Sequence, residues 1–219
     1  MKSNFIYLDY AANTPVDQEV LNAFNDATIK YFANPNSTHP LGVQVKNKID
    51  ETTAKIIDEL KSNANLDDNM EVIYTSGSSE SNNLAIKGIA SAYKENGKHI
   101  ITSFLEHSSV SSPITYLKEQ GYEIDVVNIK EDGTIDLEHL KNLIRDDTIL
   151  VSLCYVDSEV GTVQPIEEIA KIAHDNNIIF HTDAVQAIGN VQIDVEKMRI
   201  DMLSLSSHKI NGPKGVGAL

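Results

Sequence analysis

Four polar loops carry residue types equipped for chemistry. Ser76-Gly77-Ser78-Ser79-Glu80-Ser81-Asn82-Asn83 sets a glycine and several hydroxyls before a stretch with helical spacing. Hydroxyls and free N–H groups at a helix start make an anion cradle. The same residues also read as a Ser N-cap with Glu80 in the first turn, in the manner of a capping box. Glu106-His107-Ser108-Ser109 puts an imidazole where a helix opens, able to stack on a planar ligand, move protons near neutral pH, or merely cap. His181-Thr182-Asp183-Ala184-Val185-Gln186 follows an apolar run, so Asp183 either meets a cationic ligand atom or caps what comes next. In Ser206-Ser207-His208-Lys209-Ile210-Asn211-Gly212-Pro213, Lys209 is either a surface charge or a partly desolvated amine able to form a Schiff base. Together these loops supply an anion cradle, a stacking imidazole, a strand-end carboxylate and an amine. That is the equipment of a pyridoxal 5′-phosphate site. No Walker A pattern occurs, since Gly212-Pro213-Lys214-Gly215-Val216-Gly217 has the wrong order.

The elements that must position these loops alternate. Strands are predicted at Glu71–Thr75, His99–Thr102, Glu123–Asn128, Thr148–Leu153, Ile178–Thr182 and Met202–Ser206, with Val216–Leu219 as a further one. Helices are predicted between them, at Ser79–Glu95, Ser108–Gln120, Leu137–Leu143 and Ile166–Asn176. Thr148–Leu153 is almost continuously apolar, as suits a parallel sheet covered on both faces. The pattern predicts an α/β domain whose ligands bind beyond the carboxyl ends of the strands. The first 65 residues read differently, as an N-terminal helical arm (Asp17–Tyr31 and Val43–Ser62) preceding the α/β domain of residues 66–219.

The 219 residues carry 18 Lys plus Arg and 32 Asp plus Glu, a formal charge of −14. Such acidity argues against nucleic acid or an anionic membrane as the main partner. No stretch approaches the roughly 18 apolar residues of a membrane span, and the first residues lack a signal-peptide core; a cytoplasmic protein is expected. The lone cysteine, Cys154, excludes an intrachain disulfide. It continues an apolar strand with no basic neighbour, so it reads as a small buried hydrophobe.

The motifs resemble those of the NifS/IscS-type cysteine desulfurases, in the class V branch of the fold-type I pyridoxal-phosphate enzymes. The matching segments are Tyr7–Val16, Asn34-Pro35-Asn36-Ser37 with His39 and Gly42, Thr75–Gly88, Glu106-His107, Glu159–Ile166, Asp183–Gln186 and Ser207–Leu219. They follow family order over the whole length. The resemblance implies the fold-type I large domain, a mostly parallel sheet flanked by helices, without the small C-terminal domain. It implies that Lys209 binds the cofactor covalently and later takes the substrate's α-proton. Asp183 would pair with the pyridinium nitrogen, His107 would stack on the ring and assist proton transfer, and Gln186 would hydrogen-bond the phenolic oxygen. Ser78, Ser79, Ser206 and His208 would bind the phosphate. L-Cysteine is the implied substrate, with a homodimer as the assembly and an iron–sulfur scaffold or tRNA-thiolation enzyme as sulfur acceptor.

Two departures qualify the resemblance. The family usually has two Asn where this chain has Asp157-Ser158. Ser158 would reach the cofactor's phenolic oxygen and the substrate carboxylate less well, and Asp157 would add negative charge nearby. The family also continues beyond Gly217-Ala218-Leu219, into the part holding the persulfide-accepting cysteine and a substrate-clamping arginine. The chain is thus expected to hold the cofactor-binding half of a desulfurase and to show little or no activity by itself. The alternatives are a non-catalytic, pyridoxal-phosphate-binding or dimerising remnant, or another class V reaction such as selenocysteine lysis or transamination.

Overall fold

The computed structural model describes residues 6–61 and 70–219. The second helix of the arm runs from Pro40 to Glu59 with Leu60 as its C-cap, so it starts before the expected Val43 and stops short of the expected Ser62; the boundary near residue 65 lies outside the described residues. Among the described residues seven strands form one sheet: β1 (Tyr74–Thr75), β2 (His99–Thr102), β3 (Glu123–Val126), β4 (Thr148–Ser152), β5 (Ile179–Asp183), β6 (Met202–Ser206) and β7 (Gly217–Ala218). Their spatial order is β1-β7-β6-β5-β4-β2-β3. From β3 to β6 every neighbouring pair is parallel. The strand β7 lies antiparallel to both β6 and β1. Two strands each opposed to β7 run parallel to one another, so β1 ends at the same sheet edge as β2, β4, β5 and β6.

Among the described residues six helices accompany the sheet: α1 (Gln18–Lys30), α2 (Pro40–Glu59), α3 (Ser78–Ala92), α4 (Ser108–Glu119), α5 (Leu137–Leu143) and α6 (Ile166–Asp175). Every residue of β4 is buried, as suits a nearly continuous apolar run covered on both faces. On one face Ile100 and Leu150 pack with Ile86 and Ala90 of α3 and with Val110, Ile114 and Leu117 of α4. On the other, Ile101, Val151 and Phe180 pack with Ile169 and Ala173 of α6. Successive strand residues thus feed opposite cores, the two-residue period of a strand. In α6 the buried positions Ile166, Ile169, Ala170 and Ala173 recur at three and four residues, one stripe of a helix.

The amino-terminal helices are less embedded. Within α1 no residue is buried, and α2 buries only Gly42 and Val45. Asp17 caps α1 by accepting from the N–H of Glu19. The ring Nδ1 of His39 caps α2 by accepting from that of Gly42 at 3.2 Å, with Pro40 at the first helical position, where its missing N–H costs nothing. Among the described residues no helix is long and apolar enough to cross a membrane.

Candidate functional site

Because five strands end at one edge, the loops that follow them converge. A cavity of about 550 Å³ opens there, lined by residues that include Ser78, Ser79, His107, Ser158, Asp183 and Lys209. Gln186, His208 and Cys154 also face it. Ser206 is fully buried just behind, its hydroxyl 2.6 Å from Nδ1 of His208. The structure therefore gathers all the residues singled out from the sequence in one place.

The loop after β1 differs from the capping-box expectation. The N-cap of α3 is Gly77, at φ 150°, and no side chain caps this helix. Glu80 instead turns back, its Oε2 accepting from the N–H and the hydroxyl of Ser76, both at 2.7 Å. The opening N–H groups of α3 have no intrahelical acceptors, and the carboxylate that would have competed for them faces away. Only glycine adopts this φ readily. A second glycine makes room here: a Cβ on Gly217 would stand 2.6 Å from Cα of Gly77. The strand β7 can therefore lie directly against the turn.

Asp183 ends β5, where it is 7% exposed. Its Oδ1 accepts from the N–H of Val185 at 3.0 Å, and its Oδ2 from the side-chain amide of Asn82 at 2.7 Å. Burial raises its proton affinity, opposed by those two donors and by the charges of His107 and Lys209. No helix follows, so the capping reading of Asp183 gives way to a local turn around a buried carboxylate. His107 caps α4 through Nδ1, which accepts from the N–H of Ser109 at 3.1 Å. The ring thus caps a helix and lines the cavity at once.

Lys209 ends the single 3₁₀ turn after β6. Its ammonium donates to the carbonyl oxygen of Ala11, which also accepts from the side-chain amide of Gln186 at 2.9 Å. The neighbouring backbone is clasped by Thr14, whose N–H and hydroxyl donate to the carbonyl of His208 at 3.0 and 2.9 Å. Asn211, in the left-handed region at φ 62°, donates its own N–H to the Thr14 hydroxyl at 2.8 Å. The Tyr7–Val16 segment thus fixes the lysine-bearing loop. Partial burial lowers the proton affinity of Lys209, opposed by the charges of Asp183 and Asp9.

Cys154 requires a correction. It lies two residues past the end of β4 and lines the cavity, rather than continuing the strand. It is buried, as expected. Burial, then the charges of Glu106, Asp183 and Asp157, push its thiol upward and away from thiolate formation. Beside it, Glu106 accepts through Oε1 from the Ser103 hydroxyl at 2.7 Å and the N–H of Cys154 at 2.9 Å. Its Oε2 is buried without a hydrogen-bond partner among the described residues. Burial pushes the Glu106 carboxyl up to about 8.

In the Asp157-Ser158 pair, only Ser158 lines the cavity. Asp157 is buried, and its Oδ2 accepts from the N–H groups of Glu159 and Val160 at 3.1 and 2.6 Å. Its carboxylate is spent on its own loop. Sequence reasoning assigned no role to Asn82, Ser109, Glu106 or the carbonyl of Ala11. The first three stand inside or beside the quoted motifs, and a backbone carbonyl leaves no mark in sequence.

Residues 6–219 match the aminotransferase class-V family. The chain is 47% identical over 214 residues to cysteine desulfurase IscS of Methanosarcina thermophila, covering 98% of this chain and 52% of that protein. It is 44% identical to cysteine desulfurase IscS of Dictyoglomus turgidum, covering 98% and 53%. Among solved structures, SspA in complex with cysteine superposes with a TM-score of 0.89 at 41% identity, over 98% of this chain and 60% of that one. A NifS-like protein gives a TM-score of 0.90 at 34% identity, over 97% and 57%. The chain spans about half the length of the curated relatives it matches. Sequence and three-dimensional likeness agree, and the chain belongs to the aminotransferase class-V family.

Proposed function

We propose that this chain is the cofactor-binding half of a pyridoxal-phosphate-dependent cysteine desulfurase. The observation that carries the proposal is the meeting of Lys209, Asp183, His107 and the open start of α3 around one cavity. The donor set fits the cofactor at each end. A buried carboxylate suits a protonated ring nitrogen, and an α3 start without a side-chain cap suits a phosphate dianion. When bound, pyridoxal phosphate supplies an electron sink for charge developing at a substrate's α-carbon.

Each residue then has a task. Partial burial disfavours the ammonium of Lys209, against the charges of Asp183 and Asp9; its nitrogen is the group that would join the cofactor and take a proton from a substrate α-carbon. Asp183 would hold the proton on the ring nitrogen. His107, which lines the cavity, would stack on the ring and move protons. Gln186 and Ser158 would hydrogen-bond the phenolic oxygen, and Ser78, Ser79, Ser206 and His208 would hold the phosphate. L-Cysteine is the proposed substrate; the curated relatives are named cysteine desulfurases, and SspA was solved with cysteine. Its sulfur would pass as a persulfide to an iron–sulfur scaffold or a tRNA-thiolation enzyme in the cytoplasm. The proposed assembly is a homodimer, which would cover apolar side chains such as Phe104 and Val160, 84% and 82% exposed. The proposed organisation is a helical arm to residue 65 and the cofactor domain from 66 onward.

A second reading has one observation behind it. The chain's single cysteine has its thiol held protonated, so no thiolate here is ready to accept sulfur. On that reading the chain binds the cofactor without turning cysteine over. One experiment separates the two. Added pyridoxal phosphate should give a band near ~410–420 nm that Lys209→Ala abolishes. Sulfide release from L-cysteine with a reductant then reports turnover. Absence of the band in the unaltered chain overturns the cofactor proposal.

A further inference from the structure

The cavity's carboxylate and its imidazole are joined behind the cavity wall. One amide hydrogen of Asn82 goes to Oδ2 of Asp183 at 2.7 Å and the other to the hydroxyl oxygen of Ser109 at 2.9 Å. The Ser109 hydroxyl lies 2.9 Å from Nδ1 of His107. That nitrogen already accepts the N–H of Ser109, so it carries the lone pair and the hydroxyl donates to it. The neutral ring proton therefore sits on Nε2. The reverse amide orientation would set a carbonyl oxygen against the carboxylate of Asp183. Asn82 is fully buried, and its Oδ1 has no hydrogen-bond partner among the described residues. An amide left half-satisfied in a core is costly, which suits a side chain held by what its nitrogen does.

Asn82 stands about one turn along α3 from Ser78. The helix that opens on the anion cradle thus also reaches the carboxylate at the cavity's other end. We infer that Asn82 is a positioning residue that, through Asp183 directly and through Ser109 to His107, locks the carboxylate, the imidazole tautomer and the start of α3 into one unit. This inference rests on the cofactor reading above, for which it sets the span between phosphate and ring nitrogen. Asn82 itself touches neither.

The relay is testable in the chain without cofactor. Imidazole nitrogen NMR should show His107 protonated on Nε2, with Nδ1 in the hydrogen-bonded range. Ser109→Ala should move the Nδ1 resonance by several ppm, and Ser109→Thr, which keeps the hydroxyl, should restore it. Asn82→Ala should move the same resonance although it does not touch the ring. An unmoved resonance in Ser109→Ala overturns the relay, and that mild variant serves even if Asn82→Ala fails to fold. With pyridoxal phosphate added, Asn82→Ala should weaken its retention about tenfold, as for losing a hydrogen bond to a charged group. Combined with His107→Ala, the loss should fall well short of the product of the single losses; strict additivity overturns the coupling. If even the unaltered chain takes up no cofactor, the cofactor reading fails while the NMR comparison still decides the relay.

Discussion

The ammonium of Lys209 donates to the carbonyl oxygen of Ala11, 198 residues earlier in the chain. The amine thus ties the amino-terminal segment to the loop after β6. Lys209→Ala should raise amide exchange at Ala12, Asn13 and Thr14 severalfold, read by hydrogen–deuterium exchange, even without cofactor. Unchanged exchange there would show that Thr14 and Asn211 hold the segment unaided.

Gly217→Ala should destabilise the fold by about 2 kcal/mol or more, read as a fall in the urea midpoint. The added methyl would meet Cα of Gly77 at 2.6 Å and the carbonyl oxygen of Leu205 at 2.9 Å. Both are backbone atoms, so relief requires the strand to move. Gly121→Ala is the comparison: φ is 86° there, yet nothing lies within 4 Å, so only its conformational strain, about 1 kcal/mol, should register.

Two buried groups set opposite pH limbs of stability. Glu106 is raised from 4.5 to about 8. The stability it contributes is complete below pH 4.5 and drains away as pH rises through 8. His181 lies between the hydroxyls of Ser152 and Ser204 at 2.9 and 3.0 Å, and burial lowers it from 6.5 to about 3. Its contribution is complete above pH 6.5 and is lost as pH falls through 3. Between 4.5 and 6.5 the two slopes oppose one another; from 6.5 to 8 only the Glu106 slope remains. Relative to Glu106→Gln, the unaltered chain should lose roughly 2 kcal/mol across that upper window in urea titrations. Parallel curves for the two proteins would refute the assignment.

Cys154 should behave as a packing residue. Iodoacetamide should label it far more slowly than a free thiol, because its thiolate is suppressed by burial and by Glu106. Cys154→Ala should leave pyridoxal phosphate retention within about twofold, since a small apolar replacement keeps most of the contact. Rapid labelling of the folded chain would contradict this.

Ser158→Asn should lower the KM of any L-cysteine turnover severalfold by extending a hydrogen-bonding arm into the cavity. An unchanged KM and kcat would remove Ser158 from substrate binding.

Most of the sheet could be read in advance because its signals are local. The apolar run Thr148–Leu153 and the breaks after it announce a buried strand and its loop, and for the same reason Asp183 is legible at a strand end and Lys209 in the loop that follows a strand. What escaped was either non-local or decided by a contest between neighbours. Nothing near Ala11 signals a lysine 198 residues away. At the start of α3, the pattern of Ser followed by Glu favoured a side-chain cap. The structure gives the cap to Gly77 because β7 crowds that turn, a strand the local pattern cannot see. Asp157 likewise turned inward because two N–H groups of its own loop lay closer than the cavity.

The placement of β7 between β6 and β1 has a consequence for the order of assembly. Among the described residues β1 pairs with the sheet only through β7, and Ile73 exchanges both backbone hydrogen bonds with Leu219. A chain made from its amino terminus must therefore hold Tyr74 and Thr75 in waiting until Gly217 and Ala218 have been synthesised. The turn before α3 is encoded early and seated late. Closing so long a loop is slow relative to local contacts, so the uncapped start of α3 should be among the last parts of the molecule to mature.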